Sequence, residues 1–404
     1  MNMKIKTIIM LLMVGGGLTS SLVAQEKEKN FSFIPLPVVS VNPTYGVMYG
    51  VAPGASWYMG NKETTSVSSG LGSAIYTTNK QLILTAKTNI FTEGDSWNFL
   101  GDMRYFMTSS PNYGLGTGPN SNKVVNGGYE YNEGMFSEPI DNAQMMEFNM
   151  FRFHETALKR YKDTRLFFGL GYHLDIHSDI QDNLLDLEAE QPVMTSHYLY
   201  QTAHGFSTTD YTLSGVSLNV LYDSRDNPIN PYSGRYAFVN LRINPEFMGS
   251  DQSSSILWAE YRDYINVNKS RPSHLIGVWT YASSVTSGNV PYLSLPALGW
   301  DQFGRSGRAY TQGRLRGEDI WYGEVEYRFP LQKNKETIGG VVFGSATTAS
   351  NRLNDIQLFD HVDVAGGVGL RIMINKARRT VLNFDYAVGK YGASGFYIGL
   401  NATF

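Results

Sequence analysis

The sequence predicts an all-β protein: a transmembrane antiparallel β-barrel of 16 strands with an external loop folded into its lumen. Three observations support this prediction. Many segments alternate apolar and polar residues, long and short connections alternate between them, and the composition is rich in aromatic residues and glycine. Tyr (26), Phe (21) and Gly (41) are abundant among the 404 residues. Such a composition is typical of strands joined by small turns, with aromatic girdles at the membrane surfaces.

Composition and motifs exclude several classes of function. The net charge of −3 gives no electrostatic reason to expect nucleic acid as a partner. The lack of cysteine excludes a disulfide scaffold, a thiolate zinc site, a cysteine nucleophile and a lipoprotein anchor. The serine-hydrolase, zinc-protease, phosphate-loop and dinucleotide motifs are all missing from the sequence. We therefore expect neither an enzyme nor a resident cofactor or metal.

Residues 1–25 have the organisation of a secretory signal peptide. Lys4 and Lys6 form a basic region, and an apolar run over residues 8–14 precedes a cleavage region around Ala24. No later segment approaches the ~20 consecutive apolar residues of a membrane-spanning helix. The mature chain is therefore expected to be exported, with residues 31–404 forming a single barrel domain.

Sixteen strand-like segments follow one another to the end of the chain, and no amphipathic helix is predicted. Each is long enough for a tilted membrane strand of ~9–11 residues. The segments are 32–41, 45–58, 65–77, 80–91, 95–108, 144–158, 164–177, 210–223, 234–245, 253–267, 272–286, 318–330, 337–348, 363–374, 379–389 and 395–404.

The connections alternate in length. Those counted as odd include the long ones, 109–143, 178–209, 287–317 and 349–362, whereas the even ones are short. This alternation is typical of an outer-membrane barrel, which has short periplasmic turns and long external loops. A soluble exported β protein, the alternative, has no reason to alternate in this way.

The side chains of the segments also alternate between two faces. Along segment 318–330, Tyr322, Glu324, Glu326 and Arg328 lie on one face, and the other face carries Trp321, Val325, Tyr327 and Phe329. The last segment places Phe396, Ile398, Leu400, Ala402 and Phe404 on a single face. Such faces predict lipid outside the barrel and water or a loop inside it.

Three stretches resemble one known family. Residues 222–236 (YDSRDNPINPYSGRY), 37–50 and 366–389 are similar to the signature turn, the opening hairpin and the closing strands of the BamA/TamA superfamily, the bacterial surface antigen family. Only a few residues separate the predicted cleavage site from the first strand. The chain thus resembles a barrel-only branch without POTRA domains.

The resemblance implies a bacterial outer-membrane protein that takes part in the assembly, insertion or translocation of outer-membrane or surface components. Outer-membrane lipids, lipopolysaccharide and periplasmic or outer-membrane assembly proteins are the partners it implies. A passive or gated channel and a structural subunit of an outer-membrane complex are the alternatives.

The resemblance also implies a loop that is locked inside the lumen by an arginine. The family pattern of Arg, Gly and an aromatic residue matches Arg308 and Tyr310 better than Arg316, which is followed by Gly317 and Glu318. Glu324 and Glu326 are the expected carboxylate partners, with Arg328 on the same strand face. Ser345 stands where the family has an aspartate. The alternative is an external lid with solvated charges.

Three smaller sets of residues complete the prediction. Arg371 and Asp385 are expected to form a lumen salt bridge, or else to remain separate hydrated charges. Asp223, Arg225, Asp226 and Gly234 are expected to form a rigid periplasmic turn. Pro35, Pro37 and Phe404 are assigned to the seam between the first and last strands, where the prolines either weaken the pairing or precede it.

One run of residues leaves a metal site open as a minor alternative. His173, Asp175 and His177 recur at every second position, so they share one face of a strand. Two imidazoles and a carboxylate could bind a divalent ion. A hydrated barrel rim is the interpretation that we favour.

Overall fold

The structure, a computed structural model, describes residues 30–42, 46–118, 130–132, 135–137, 143–401 and 404. The predicted signal peptide, residues 1–25, lies outside these ranges. Within them, no helix is both long and apolar enough to cross a bilayer.

The described part of the chain contains 20 strands, a helix and four short 3-10 turns. The 3-10 turns are Glu93–Asp95, Glu246–Met248, Tyr292–Ser294 and Arg352–Asn354, and the helix α1 is Ser196–His204. The strands are β1 (Phe31–Ile34), β2 (Pro37–Asn42), β3 (Gly46–Val51), β4 (Gly54–Trp57), β5 (Ser68–Thr77), β6 (Leu82–Phe91), β7 (Trp97–Asn112), β8 (Glu130–Asn132), β9 (Met135–Phe136), β10 (Gln144–Arg160), β11 (Leu166–Asp182), β12 (Tyr211–Asp223), β13 (Gly234–Asn244), β14 (Ser254–Asn266), β15 (Leu275–Gly288), β16 (Asp319–Pro330), β17 (Ile338–Ala349), β18 (Asp363–Asn375), β19 (Thr380–Gly389) and β20 (Ser394–Leu400).

Antiparallel ladders join neighbours along the chain into one sheet of 18 strands, and β8 and β9 form a separate hairpin. β1 and β2 are two halves of one strand, as are β3 and β4, because β1 pairs with β4 and β2 with β3. The large sheet therefore consists of 16 strand segments, which confirms the predicted all-β class and the number and antiparallel order of the strands.

The sheet has two distinct ends. We call the end with the short connections the turn end; it includes residues 61–65, 161–165, 267–274, 331–337 and 376–379. We call the opposite end, which carries the long connections such as 183–210 and 289–318, the loop end. In outer-membrane barrels short turns lie on the periplasmic side and long loops outside.

Burial follows the predicted alternation. Along β16, Tyr322, Glu324, Glu326 and Arg328 are buried, whereas Val325 and Tyr327 are exposed. Phe168, Leu170, Val368 and Phe396 are among the many large apolar side chains that point outward. The polar and charged groups therefore face the interior of the barrel, and apolar groups face outward, as a membrane barrel requires.

The end of the last segment departs from the prediction. β20 ends at Leu400, and the side chains of Leu400 and Phe404 are buried instead of facing outward. The ring of Phe404 lies 6.0 Å from that of Tyr264 and 5.4 Å from that of Trp279, measured between centroids. Phe404 thus packs against β14 and β15 inside the barrel, where aromatic rings cover it, and it does not belong to the seam.

The helix α1 was not predicted from the sequence. It lies in the loop-end connection 183–210, where the Thr195 side chain accepts a hydrogen bond from the backbone of Tyr198 and Gly205 ends the helix with a φ of 71°. A threonine N-cap followed by a C-terminal glycine is a recognisable signal. The low apolar content of the segment concealed it.

The turn between β12 and β13 folds beneath the lumen. Arg225 donates to Asp223 at 2.6 Å, and Asp226 accepts from the backbone N–H of Tyr232 at 2.9 Å. Ile229 and its neighbours are buried, and Arg379, from the turn after β18, contacts Asp226 at 2.7 Å. The turn is therefore tied to a turn on another strand pair, in addition to the internal bonds that the sequence predicts.

Gly234 closes this turn, and its replacement by alanine is expected to destabilise the barrel. Its φ is 100°, and a Cβ would lie 2.2 Å from the carbonyl oxygen of Ser224. We expect a loss of about 2–3 kcal/mol, because both the backbone conformation and the contact disfavour a side chain. Urea titration followed by tryptophan fluorescence measures this loss. Gly249→Ala is a control for positive φ alone, since nothing lies within 4 Å of its Cβ position; an equal loss there would contradict the steric argument.

Candidate functional site: a loop locked in the lumen

The loop 289–318 crosses the interior of the barrel. On one side, Arg104 of β7 donates to the carbonyl oxygens of Asp301 at 2.8 Å and Gln302 at 3.1 Å. On the other side, the backbone N–H of Ala309 donates to the Tyr397 hydroxyl of β20 at 2.9 Å. The loop therefore connects opposite parts of the wall.

Arg308 makes the main contacts between the loop and the charged side chains of the barrel wall. Its guanidinium contacts carboxylate oxygens of Glu324 and Glu326 at 2.6 Å each and of Asp385 at 2.9 Å. The carbon at the centre of the guanidinium lies 3.4 Å from the centroid of the Phe343 ring. A planar cation with several donors suits such a site, because it can bond to carboxylates while an aromatic ring covers its face.

The charge on Arg308 is stabilised in place. Burial acts to lower its pKa, but Glu324, Glu326 and Asp385 outweigh that effect and hold the pKa of Arg308 above its usual value. The guanidinium therefore stays charged at physiological pH.

The carboxylate missing at position 345 is supplied by another strand. Ser345 pairs with Glu324 in the ladder between β16 and β17, and Asp385 reaches Arg308 from β19. Glycine on the intervening strand β18 makes this possible, since a Cβ at Gly369 would lie 1.8 Å from an oxygen of Asp385. We refer to Arg308, Glu324, Glu326 and Asp385 as the lumen lock.

Two further arginines complete the charge balance. Arg371 contacts Asp385 at 2.5 Å and Glu326 at 3.6 Å, and Arg328 contacts Glu326 at 2.6 Å. With Arg308 they bring three cations against the three carboxylates of the lock. Arg371 and Asp385 are thus paired directly, and the alternative of separate hydrated charges is wrong.

Tyr310 anchors the loop beside the lock. Its hydroxyl donates to the carbonyl oxygen of Val364 at 2.7 Å and accepts from the backbone N–H of Lys390 at 3.0 Å. The preceding residue, Ala309, has a φ of 91°, a conformation that glycine adopts more easily. This explains why the family pattern has glycine at this position.

Arg316 lies apart from the lumen lock, which corrects its assignment from the sequence. It donates to the carbonyl oxygens of Tyr292 at 3.1 Å and Leu293 at 2.9 Å, within its own loop. Burial lowers the pKa of Arg316, with smaller opposing effects from Tyr292 and Tyr211. Its role is to hold the loop in shape, because the carboxylates of β16 are already taken by Arg308.

A second buried charge cluster lies across the lumen, and sequence reasoning missed it. Asp175 of β11 contacts Arg152 at 2.6 Å, His154 at 2.9 Å and Arg242 at 2.6 Å. The face shared by His173, Asp175 and His177 was the only sequence signal for it. Arg152 comes from the neighbouring strand β10 and Arg242 from β13, two strands away, and their identity as partners depends on the register.

In the described part of the chain, His173, Asp175 and His177 do not form a metal site. His173 lies 2.8 Å from the Ser217 hydroxyl, Asp175 is occupied by arginines, and His177 packs between Phe148 and Tyr211. No group of three metal-ligating side chains occurs within the described ranges.

A cavity of about 220 Å³ separates this cluster from the loop. Its lining includes Asp102, Arg152, His154, Arg242, Glu260 and Trp300. The Arg104 and Arg152 guanidiniums lie 5.6 and 5.4 Å from the Trp300 ring. The lumen therefore keeps a small cavity with several charged lining residues between the wall and the loop.

The outer edge of the first strand lacks two backbone N–H donors, at Pro35 and Pro37. The backbone N–H of Ala52 donates to the Leu36 carbonyl at 2.7 Å, so the polar groups of Leu36 point toward the second strand. Successive residues of a strand point to opposite edges, and the nitrogens of Pro35 and Pro37 therefore face away from it. β1 pairs with β4 before Pro35, and β2 pairs with β3 from Pro37 onward, so both prolines lie within a strand that is paired on its other edge.

Comparisons with known proteins agree with this architecture. A family model of the Omp85 superfamily domain matches residues 59–404. No curated protein matches the chain. Among solved structures, BamA from Haemophilus ducreyi lacking POTRA domains 1–3 superposes with a TM-score of 0.53 at 14% identity, over 93% of this chain and 70% of that one. Wzi of Escherichia coli, a carbohydrate-binding β-barrel involved in group 1 capsule assembly, aligns over 93% of this chain and 83% of its own at 9% identity, with a TM-score of only 0.30.

Proposed function

The chain belongs to the Omp85 superfamily, and we propose that it takes part in the assembly, insertion or translocation of outer-membrane or surface components. Membership implies a location in the bacterial outer membrane, and proteins of this superfamily are in general not enzymes. The likeness to BamA concerns the fold alone. The proposal depends on one observation in this chain, the edge between the first and last strands.

That edge has few hydrogen bonds to hold it. Within the described residues, no backbone ladder joins β20 to β1 or β2, although each of these strands pairs with its other neighbour. Pro35 and Pro37 remove two donors from the same edge. An edge with missing donors separates at lower cost than any complete ladder, and separation would expose a strand edge on which another chain could pair.

The occupied lumen supports assembly over passive conduction. The loop 289–318 reaches both walls from the loop end, and the turn 223–234 lies beneath the lumen at the turn end. A lumen lock of buried ion pairs would have to break before a wide pore could form, and breaking a buried pair is costly. We therefore place the working surface of this protein at the seam and at the turn end.

We also propose three kinds of partner for this protein. Outward-facing apolar residues would contact outer-membrane lipids, and lipopolysaccharide would surround the loop end. Periplasmic or outer-membrane assembly proteins would bring clients to the turn end.

A reversible disulfide across the seam tests the proposal. The chain has no native cysteine, so a cysteine at Ile398 of β20 can be combined in turn with one at Phe31, Phe33 or Val39. Purified protein in liposomes is oxidised, and folding of an added outer-membrane barrel client is followed by its resistance to protease. We expect oxidation of a pair that cross-links to abolish client folding, and reduction to restore it.

The pair Phe384→Cys and Ile398→Cys is the matched control, because these residues are partners in the ladder between β19 and β20. Oxidation of the control is expected to leave client folding unchanged. Normal activity with a cross-linked seam would exclude opening of this edge from the mechanism.

A further inference from the structure

The turn end of the barrel carries a concentration of positive charge. The three turns 267–274, 331–337 and 376–379 contain seven Lys and Arg residues and one acidic residue, Glu336, in a chain whose net charge is −3. We call these three turns the basic floor. The loop 183–210 at the other end has the opposite character, since it contains four Asp and Glu residues and no Lys or Arg.

Four lysines give the basic floor its exposed charge. Lys269, Lys333, Lys335 and Lys376 are all exposed, and none forms an ion pair with a carboxylate of the described residues. In contrast, the acidic turn 92–96 lies at the same end of the barrel on other strands. The charge of the four lysines is therefore local to one side of the turn end, where Arg379 of the floor is paired with Asp226.

Direct contacts tie each of these turns to a neighbouring turn. Arg271 donates to the carbonyl oxygen of Gln332 at 2.5 Å, which joins the first two turns. Arg379 pairs with Asp226 at 2.7 Å, which joins the third turn to the turn beneath the lumen. Two of the turns that carry the lysines are thus tied to each other, and the third is tied to the turn beneath the lumen.

We propose that the basic floor docks an acidic segment of a soluble protein at the turn end of the barrel. The charge of the floor is complementary to such a segment, and complementary potentials increase the rate and selectivity of docking. The lysines lie in turns that follow the strand ends, and the strands before two of these turns carry the exposed rings of Tyr261 and Tyr327, a residue type typical of membrane surfaces. They are therefore placed to meet a soluble protein. This inference goes beyond the proposed function and does not depend on it.

Binding of an acidic peptide to the full chain tests the proposal. The chain is placed in nanodiscs of zwitterionic phosphatidylcholine, and fluorescence anisotropy follows a labelled glutamate-rich peptide at low and physiological salt. We expect the variant with Lys269, Lys333, Lys335 and Lys376 all changed to Gln to bind about tenfold more weakly, and salt to weaken the wild-type complex. A glutamine peptide of equal length is not expected to bind.

The matched control changes Lys62, Lys80, Lys159 and Lys162 to Gln, which removes the same charge elsewhere. An equal loss of affinity in both variants would overturn the proposal, because net charge alone would then explain binding. It is also overturned if the peptide fails to bind while phosphatidylglycerol in the nanodiscs raises the Tm of the wild type and not of the floor variant. That result would assign the lysines to lipid headgroups. Heat-modifiable migration on gels verifies that both variants are folded.

Discussion

Replacing Arg308 with methionine is expected to lower the free energy of unfolding by about 3–5 kcal/mol. Methionine keeps much of the side-chain length but leaves Glu324, Glu326 and Asp385 without the cation that joins them. Arg308 is 4% exposed, so water cannot replace it without rearrangement of the loop. The remaining cations, Arg328 and Arg371, contact Glu326 and Asp385 but bring no charge to Glu324.

The measurement is urea titration in detergent or lipid, followed by tryptophan fluorescence. Arg314→Met is the matched control, because Arg314 lies in the same loop and stacks on Tyr113 at 3.7 Å without a carboxylate partner among the described residues. We expect the control to lose less than about 1 kcal/mol. A loss at Arg308 no larger than at Arg314 would contradict the lumen lock.

A double-mutant cycle separates the lock from general damage to the loop. Asp385→Asn removes one partner of Arg308, and the combined variant should lose less than the sum of the two single losses, since both disrupt one interaction. Protease accessibility of residues 300–316 gives an independent measurement. Release of the loop should expose this segment in the Arg308 variant and not in the Arg314 variant.

Asp175→Asn is expected to have an effect of similar size on the other wall of the barrel. Asp175 is 1% exposed and bonds to Arg152 and Arg242, each at 2.6 Å. The amide is nearly isosteric but neutral, so two buried guanidiniums lose their closest charge partner. We expect a loss of about 3–5 kcal/mol.

The same urea titration measures this loss, and Asp163→Asn is the control because Asp163 is exposed in a short turn. The control should change stability by less than about 0.5 kcal/mol. A neutral result for Asp175→Asn would mean that its arginines find other acceptors, and the cluster would then not hold β10, β11 and β13 together.

Much of the fold could be predicted from the sequence. The 16 segments, their antiparallel order and the alternation of long and short connections follow from a period of two residues and from turn-forming residues, both of which are local properties. Local patterns were less successful for one short helix and for the end of the last strand. The helix α1 has clear caps but little apolar content, and β20 ends four residues before Phe404.

The residues of the candidate site were likewise predicted only in part. The pattern around Arg308 and the inward face of β16 identified Arg308, Glu324 and Glu326 as neighbours, and the structure places them in contact. Arg316 was assigned to the same cluster, and the structure places it against carbonyl oxygens of its own loop. Their roles in function remain predictions.

By itself, the sequence determined the barrel, its strand faces and the charges that must point inward, because alternation along a strand requires no knowledge of its neighbours. Only the tertiary structure decided which inward charges meet. Asp385 replaces the aspartate missing at position 345 because glycine on β18 lets it reach across a strand to Arg308. Phe404 turns inside because aromatic rings of β14 and β15 cover it there. The positions of Asp385 and Phe404 both depend on the register between strands and on the path of the chain, which bring together residues far apart in the sequence.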